Sequence, residues 1–584
     1  MQPFETAFDE IATQMVDIIG QGITKEQAMT LLAEPMDPSS SADVTLPVNR
    51  ARRYKLKLEG TPSEVSEQWA AKFVPTETVA SAHGCEEGFV SFVIAPTKLY
   101  EGIISSVVKA GPKYGEDHSV GAGKKCVFEY CSANLGKPFH QGHLRSTIMG
   151  QFLVNTHKAL GYDVTAINYM GDWGSQYSLL SLGFEKYGSD EALEADPMGH
   201  LYEIYVKINA DATEDPAVKE AARAHFVRME AGEEDALKHW RRFRELSIRN
   251  METVFSRLNV HFDVYDGESM QADGMKSVIT TCMDRKIVHE DAGAQLITFP
   301  GKEGKKLGKV LLVKSDGSTL YFTRDLAAAR ARADKYNFDQ MCYVVGSQQD
   351  LHFKQVFKTL ELMGHEWAKK CEHVQFGMVK GMSTRKGTAV FLKDILDESK
   401  QRTLELMKEN EAKFGDLEDP DATADKIGVA AVVIQDLSAK RIKGYEFNWD
   451  RIFDIGGKTG PYLQYAHARL CSIERKCGVA LNLEADVSIL ASTDAREAEV
   501  ARKLVKFIGK FPAKVLDAVE KREPNTIVIY MFDLSKAVNS ANDPLKVKGM
   551  PKEVAEARLL LFHCARVTLG NAMRLLGLHP VERM

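Results

Sequence analysis

The chain lacks any Cys-x-x-Cys pair, although it holds nine cysteines, at 85, 126, 131, 282, 342, 371, 471, 477 and 564. Their odd number and scattered spacing give neither a disulfide framework nor a zinc-ligand pattern. They read as reduced core thiols of a reducing compartment, with no resident metal expected. No apolar run nears the roughly 18–20 residues that a membrane-spanning helix needs. Residues 429–434 are among the longest such runs, so no membrane partner is expected. The first twenty residues carry Glu5, Asp9, Glu10 and Asp17 but no Lys or Arg. That is the wrong charge for a secretory or mitochondrial leader and favours a cytoplasmic location. A phosphate loop is missing as well: Gly457-Lys458-Thr459 resembles the end of one, but the earlier glycine it needs falls on Ile452. His365-Glu366 lacks the second His of a zincin. No internal repeat or low-complexity tract stands out.

What is present is ordinary globular composition, 44% hydrophobic and 27% charged over 584 residues. That length implies roughly three or four domains. The net charge of −6 does not advertise a polyanion partner for the whole chain. Residues 501–584, however, hold 15 Lys+Arg against 8 Asp+Glu, a net of +7 that leaves −13 on the rest. A basic end on an acidic body suits local contact with a phosphate backbone; a solvated helical surface is the alternative.

Residues 1–122 read as a small α+β domain. The block ends in turn-rich sequence and includes the alternating run Phe89-Val-Ser-Phe-Val-Ile, which predicts a strand. From Lys125 short apolar strands alternate with helical patterns. Strands are predicted at 126–130, 164–169, 310–313, 341–345 and 374–379, with a further one running through Tyr321 after a turn at Ser315. This alternation predicts a split Rossmann α/β domain over 123–415, whose ligands sit at the carboxyl ends of the strands. Long amphipathic helices at about 185–275 read as an insertion between its two halves. Residues 416–584 read as an all-α domain.

Three groups of residues carry chemistry. Pro138-Phe-His140-Gln-Gly142-His143 follows a strand. Two imidazoles at i and i+3 can donate to phosphate oxygens, the glycine lets an adenine lie against backbone, and a helix N-terminus adds positive potential. Two structural helix histidines, or a metal pair, are the alternatives. Gly381-Met382-Ser383-Thr384-Arg385-Lys386-Gly387 offers small, hydroxyl and cationic residues that can meet a triphosphate. Between these points lie Glu129, Ser132 and Asn134; Gly171-Asp172-Trp173-Gly174; Tyr321 and Asp325; and Gln348, Gln349 and Asp350. Acidic and aromatic residues at strand ends suit a planar cation. Taken singly, Asp325 reads as a carboxylate in the first turn of a helix.

Together these residues resemble a family. Glu129-Tyr-Cys-Ser-Ala-Asn134-Leu-Gly-Lys137-Pro-Phe-His140-Gln-Gly-His143-Leu-Arg-Ser-Thr is similar to the signature of the arginyl-tRNA synthetases, closest to their yeast-like branch. Met170-Gly-Asp-Trp-Gly, Tyr321-Phe-Thr-Arg-Asp325, Ser347-Gln-Gln-Asp-Leu-His352, the Gly381 segment, Gly460-Pro-Tyr462-Leu-Gln-Tyr465-Ala-His-Ala-Arg and Val581-Glu-Arg-Met584 extend the likeness, in order, to the last residue. The resemblance implies a class I enzyme with an N-terminal tRNA-elbow domain, a Rossmann catalytic domain and a helical anticodon domain. It implies that arginine is activated with ATP and Mg²⁺ and joined to the 2′-hydroxyl of the terminal adenosine of tRNA(Arg), and that tRNA binds before activation. Asn134, Gln349 and His143, with Ser132 beside them, are implied at the amino-acid end of arginine. Glu129, Tyr321, Asp325 and Glu268 are implied at its guanidinium. His140, Gly142, His143, Met382 and Ser383 are implied at ATP, and Phe89, Tyr462, Tyr465 and Met584 at tRNA. Two departures matter. Gln141 replaces the second residue of the His-Ile-Gly-His motif, and the Lys-Met-Ser-Lys-Ser motif has lost its lysines in register. Lys137 therefore takes the phosphate-stabilising role, with Arg385 and Lys386 as secondary cations. The expected partners are tRNA(Arg), L-arginine and ATP, and the chain is expected to act as a monomer. A small-molecule nucleotidyltransferase is the competing reading, disfavoured by the long helical C-terminal part.

Overall fold

The structure, a computed structural model, describes residues 3–33, 35, 42–134, 139, 141–381, 391–409, 414–454, 457–491 and 494–584. Near the N-terminus β1 (Val44–Pro47), β2 (Val79–Gly84) and β3 (Phe89–Ile94) pair antiparallel in the order β1-β3-β2. Buried and half-buried residues alternate along β3, as the period of two requires. Helix Pro62–Lys72 packs on this sheet. Its start is fixed by Pro62 in the first turn and a reciprocal capping box between Thr61 and Glu64.

The central sheet begins with β4 (Lys125–Glu129), β5 (Asp163–Met170) and β6 (Val264–Gly267). Within the interval expected for the insertion, β6 is thus an edge strand of this sheet. Helices Ser175–Tyr187, Pro197–Glu214, Pro216–Glu230 and Glu234–Arg257 fill most of the chain between β5 and β6. Next come β7 (Val288–Asp291), β8 (Ala294–Thr298) and β9 (Lys309–Val313), a separate antiparallel sheet. Then β10 (Gln340–Tyr343) and β11 (Cys371–His373) complete five parallel strands in the order β11-β10-β4-β5-β6. Strand order reverses between β4 and β10, which opens a crevice at their carboxyl ends.

Three sequence expectations are corrected here. The run at 310–313 forms β9 of the separate antiparallel sheet and not a strand of the central parallel one. No strand runs through Tyr321: a single bridge, Val313 to Thr319, closes the turn and Tyr321 opens the helix Tyr321–Tyr336. The Ala-rich stretch after it favours helix, and Thr323 Oγ1 donates to Leu312 O at 2.6 Å, fastening that helix to β9. The strand predicted at 374–379 is also split. The chain leaves the central sheet after His373, and β12 (Val379–Lys380) pairs in parallel with β13 (Tyr445–Glu446) instead.

Beyond β12 the described chain is almost wholly helical, with helices Leu392–Lys408, Pro420–Leu437, Gly460–Lys476, Ala495–Gly509, Phe511–Lys521, Asn525–Asn542 and Lys552–Leu575. Residues 427–434 of the second of these are all buried, as expected of a helix apolar on every side. Among the described residues no helix is long and apolar enough to cross a membrane. The N-terminal part is clasped to this helical part. Asp43, fully buried, is bonded to Arg502 and lies 3.2 Å from Lys506 Nζ. Tyr114 Oη donates to Ile508 O at 3.1 Å.

Candidate active site

The crevice is built around the end of β4. Cys131 and Ser132, neither a glycine, take left-handed backbone angles, φ +77° and +51°. Such conformations cost energy and persist where packing imposes them. Here Cys131 N donates to Ser146 Oγ at 3.0 Å, and Ser146 Oγ donates to Val344 O at 2.6 Å. Ser146 belongs to the helix Gln141–Ala159. One hydroxyl therefore ties that helix to both strands flanking the crevice. The Ser132 Oγ is buried with no hydrogen-bond partner.

Asn134 comes next, exposed and bridged to Gly171 after β5. A Cβ at Gly171 would meet Asn134 Oδ1 in its present position, so glycine there lets the Asn134 side chain lie against the backbone after β5. His143 sits half-buried in the first turn of its helix, its ring 5.3 Å from Phe139. Across the crevice Gln349 is exposed at the end of a short turn, Ser347–Gln349. Lys137, His140, Met382, Ser383, Arg385 and Lys386 lie outside the described residues.

The other wall is the helix Tyr321–Tyr336. Tyr321, Asp325 and Arg332 stand at i, i+4 and i+11, which places them on one face. Asp325 lies past the first turn, so the expectation of a first-turn carboxylate is corrected and its place reflects this face instead. Its Oδ2 is 2.6 Å from His352 Nε2, and the Tyr321 ring, exposed, lies 5.0 Å from the same imidazole. Arg332, almost fully buried, bonds to Glu129 and reaches Asp266 Oδ2 at 3.4 Å. Its guanidinium lies over the Tyr169 ring at 4.7 Å. Glu129 thus engages the chain's own Arg332. Glu268 sits in the turn after β6, 3.8 Å from Arg324.

Burial pushes both Glu129 and Glu268 up to about 7, Arg332 and Arg324 respectively pulling back. Asp325 raises both further, because like charges oppose ionisation. Asp172 locks this floor in place. Fully buried, it accepts from Ser269 N at 2.9 Å and Ser269 Oγ at 2.8 Å, and pairs with Arg244 at 2.9 Å. Trp240 Nε1 donates to the Asp172 carbonyl at 2.6 Å. Arg244 and Trp240 belong to the helix Glu234–Arg257, so the inserted helices are fixed directly to the turn carrying Glu268.

Among the sequence candidates, the structure brings Glu129, Glu268, Tyr321 and Asp325 to one side of the crevice, with Ser132, Asn134 and His143 around the end of β4. Sequence reasoning missed the bracing roles of Arg332, His352, Asp266 and Arg324. Arg332 carried a usable signal, its seven-residue spacing from Asp325, two helical turns on the same face. Tyr465 and Met584 line one shared hollow with Arg469, Arg475, Lys476 and Arg583. Tyr462 stands one turn earlier, its hydroxyl accepting from Asn539 Nδ2 at 3.0 Å. Phe89 is half-buried on β3, in the N-terminal sheet rather than the crevice. Among the described residues no group of three or more His, Cys, Asp or Glu is set to hold a metal ion.

Comparison with known proteins finds two matched regions. Residues 104–449 match the family described as tRNA synthetases class I (R), catalytic domain. Residues 463–584 match the DALR anticodon binding domain. A probable cytoplasmic arginine--tRNA ligase of Dictyostelium discoideum is 43% identical, over 99% of this chain and 100% of its own. The cytoplasmic arginine--tRNA ligase of Saccharomyces cerevisiae is 45% identical, over 93% of this chain and 89% of its own. The crystal structure of arginyl-tRNA synthetase from Plasmodium falciparum superposes with a TM-score of 0.77 at 21% identity, covering 100% of both chains, which shows a shared fold.

Proposed function

This chain belongs to the class I arginyl-tRNA synthetases, and on that premise we propose how its residues divide the work of an arginine--tRNA ligase. The enzyme activates L-arginine with ATP and passes it to tRNA(Arg), releasing AMP and pyrophosphate. The observation that carries the division is the acid-lined wall of the crevice. Asp325, oriented by His352, and Glu268, beside it, are the carboxylates that receive the substrate guanidinium, with Tyr321 against its plane. Glu129 adds a further carboxylate to this wall, held in place by its pairing with Arg332. Planar, forked recognition of this kind rejects lysine, whose compact ammonium leaves acceptors unmatched.

Asn134, Ser132, Gln349 and His143 take the amino-acid end. The buried, unpartnered Ser132 Oγ supports a polar group arriving there. His140, Gly142, His143, Met382 and Ser383 hold ATP. Lys137, with Arg385 and Lys386 behind it, stabilises the charge that develops on pyrophosphate. The arginine carboxylate attacks the α-phosphorus, and the protein supplies mainly positioning and countercharge. Mg²⁺ accompanies the phosphates of ATP, where it neutralises charge.

The domain division is 1–122, 123–415 and 416–584. Phe89 faces the tRNA elbow, and Tyr462, Tyr465 and Met584 face the anticodon. The basic rim of Arg469, Arg475, Lys476 and Arg583 supports the last assignment. The cytoplasmic relatives support a cytoplasmic location, and the chain acts as a monomer. One assay tests the whole reading: tRNA charging with each of the twenty amino acids. Arginine alone should be attached, and attachment of another residue in its place overturns it.

A further inference from the structure

The helix that carries His143 also carries Arg145, which is completely buried. Arg145 Nη1 donates to Gly377 O at 2.6 Å, in the segment leading into β12. Its Nε faces Asp436 Oδ1 at 3.4 Å, also fully buried, in the helix Pro420–Leu437. Asp436 Oδ2 accepts from Tyr445 Oη at 2.9 Å, and Tyr445 is the β13 residue paired with Val379. The Tyr445 ring lies under the Arg145 guanidinium at 5.4 Å. Four pieces of chain therefore meet at one buried ion pair: the His143 helix, the approach to Gly381, β13, and a helix of the C-terminal part.

The meeting is incompletely satisfied. Arg145 Nε, Arg145 Nη2 and Asp436 Oδ1 are buried without a hydrogen bond. Nothing in the substrate pocket uses these groups, and a hydrophobic cluster would fill the same space at less cost in desolvation. A buried charged pair kept under such terms is best suited to fixing one geometry, because both directional partners must align together. β12 pairs with β13 and is approached by Arg145 at Gly377; a single bridge, Gly346 to Phe376, links the segment before it to the central sheet. The position of Gly381 relative to His143 thus depends on Asp436 and Tyr445, which lie beyond β12 in sequence but still within the residues 104–449 that match the catalytic-domain family.

We infer that Arg145, Asp436 and Tyr445 form a positioning cluster that sets the His143 helix and the Gly381 end of β12 at their working separation, and that couples both to the helix Pro420–Leu437. The inference rests on the ligase reading, in which those two motifs handle ATP. None of the three side chains needs to touch substrate.

The test uses the full chain, with Asp436→Asn, Tyr445→Phe and the double variant Arg145→Gln/Asp436→Asn. For each, arginine charging is measured with saturating tRNA, together with the KM of arginine and of ATP, tRNA affinity by filter binding, and Tm. Asp436→Asn should lower kcat tenfold or more while both KM values and tRNA affinity stay within threefold. Tyr445→Phe, which removes one hydroxyl, should lower kcat three- to tenfold. The double variant removes both charges and should recover Tm, yet keep the low kcat, because neutral partners do not restore the geometry. Recovery of kcat along with Tm would reduce the cluster to a structural pair and overturn the inference. So would single variants that retain full kcat, or that lose arginine affinity instead. Failure of the unmodified chain to charge arginine would sink the ligase reading, a separate outcome.

Discussion

The His352 imidazole and the Asp325 carboxylate stand 2.6 Å apart, Nε2 to Oδ2. An ionised carboxylate only accepts, so the proton of this bond lies on His352 Nε2. The bond uses one oxygen of Asp325 and leaves further acceptor sites on the face shared with Tyr321. Asp325→Ala should raise the arginine KM thirty-fold or more, the equivalent of roughly 2–5 kcal/mol for a truncated, desolvated charge partner. ATP affinity should hardly change. Steady-state kinetics with each substrate varied in turn decide it, and an unaltered arginine KM would remove Asp325 from the pocket. His352→Ala should act in the same direction but more weakly, because it loosens Asp325 without deleting it.

Arginine binding should weaken on acidification. Burial raises the Glu129 and Glu268 carboxyls to about 7, so both gain protons between pH 8 and pH 6. The substrate guanidinium keeps its charge throughout. A single carboxyl titrating near 7 loses about nine-tenths of its charge over that interval, so the arginine KM should rise about tenfold. Glu268→Gln should raise the KM at pH 8 and flatten the profile below it. The effect on folding has the opposite sign. Acids whose pKa is raised by folding stabilise the folded chain when protonated, and that contribution is lost as pH rises from about 4.5 to about 7. Arginine KM and Tm measured across one pH series separate the two.

Lys137→Ala should lower kcat by roughly 10²–10³, as for loss of a group that stabilises transition-state charge, with smaller changes in either KM. Pre-steady-state formation of arginyl-adenylate in the presence of tRNA isolates the step. A change confined to KM would return the role to Arg385 or Lys386.

Asp172→Ala should destabilise the fold by about 3–5 kcal/mol, the range for breaking a buried ion pair. It strips Arg244 and Ser269 of their partner at once. Gly267→Ala should harm the same place from the other side, since a Cβ there would collide with the Asp172 carboxylate. Thermal and urea unfolding measure both; wild-type stability in either variant would contradict the account of this turn.

Much of this was readable from the residues. Strands β4, β5 and β10 follow from short apolar runs, since parallel strands are buried on both faces and their sequences show it. The run at 310–313 looks the same in sequence but lies in the antiparallel β9, because periodicity records burial and not which sheet a strand joins. Tyr321 reads as strand for a related reason: the helix that it opens has its signal downstream, in the alanines. Asp325 and Glu129 were legible as acids at strand and helix ends. Which partners they take is not: the spacing from Asp325 puts Arg332 on the right helix face, but the Glu129–Arg332 and Asp325–His352 pairings join residues more than twenty positions apart in the chain. The Arg145–Asp436 pair spans nearly three hundred positions, and no local pattern announces it.

The buried Asp43, gripped by Arg502 and Lys506, makes the chain's beginning and its helical end behave as the two arms of one caliper. An object of fixed span tests the length of what it closes on as well as its chemistry. On the proposed reading the arms rest on the elbow and the anticodon of the same RNA, so molecules with a lengthened or shortened anticodon stem would meet one arm and miss the other. Cutting the chain after residue 122 would do more than delete a contact: it would take from the Arg502 and Lys506 cations the carboxylate that now answers both.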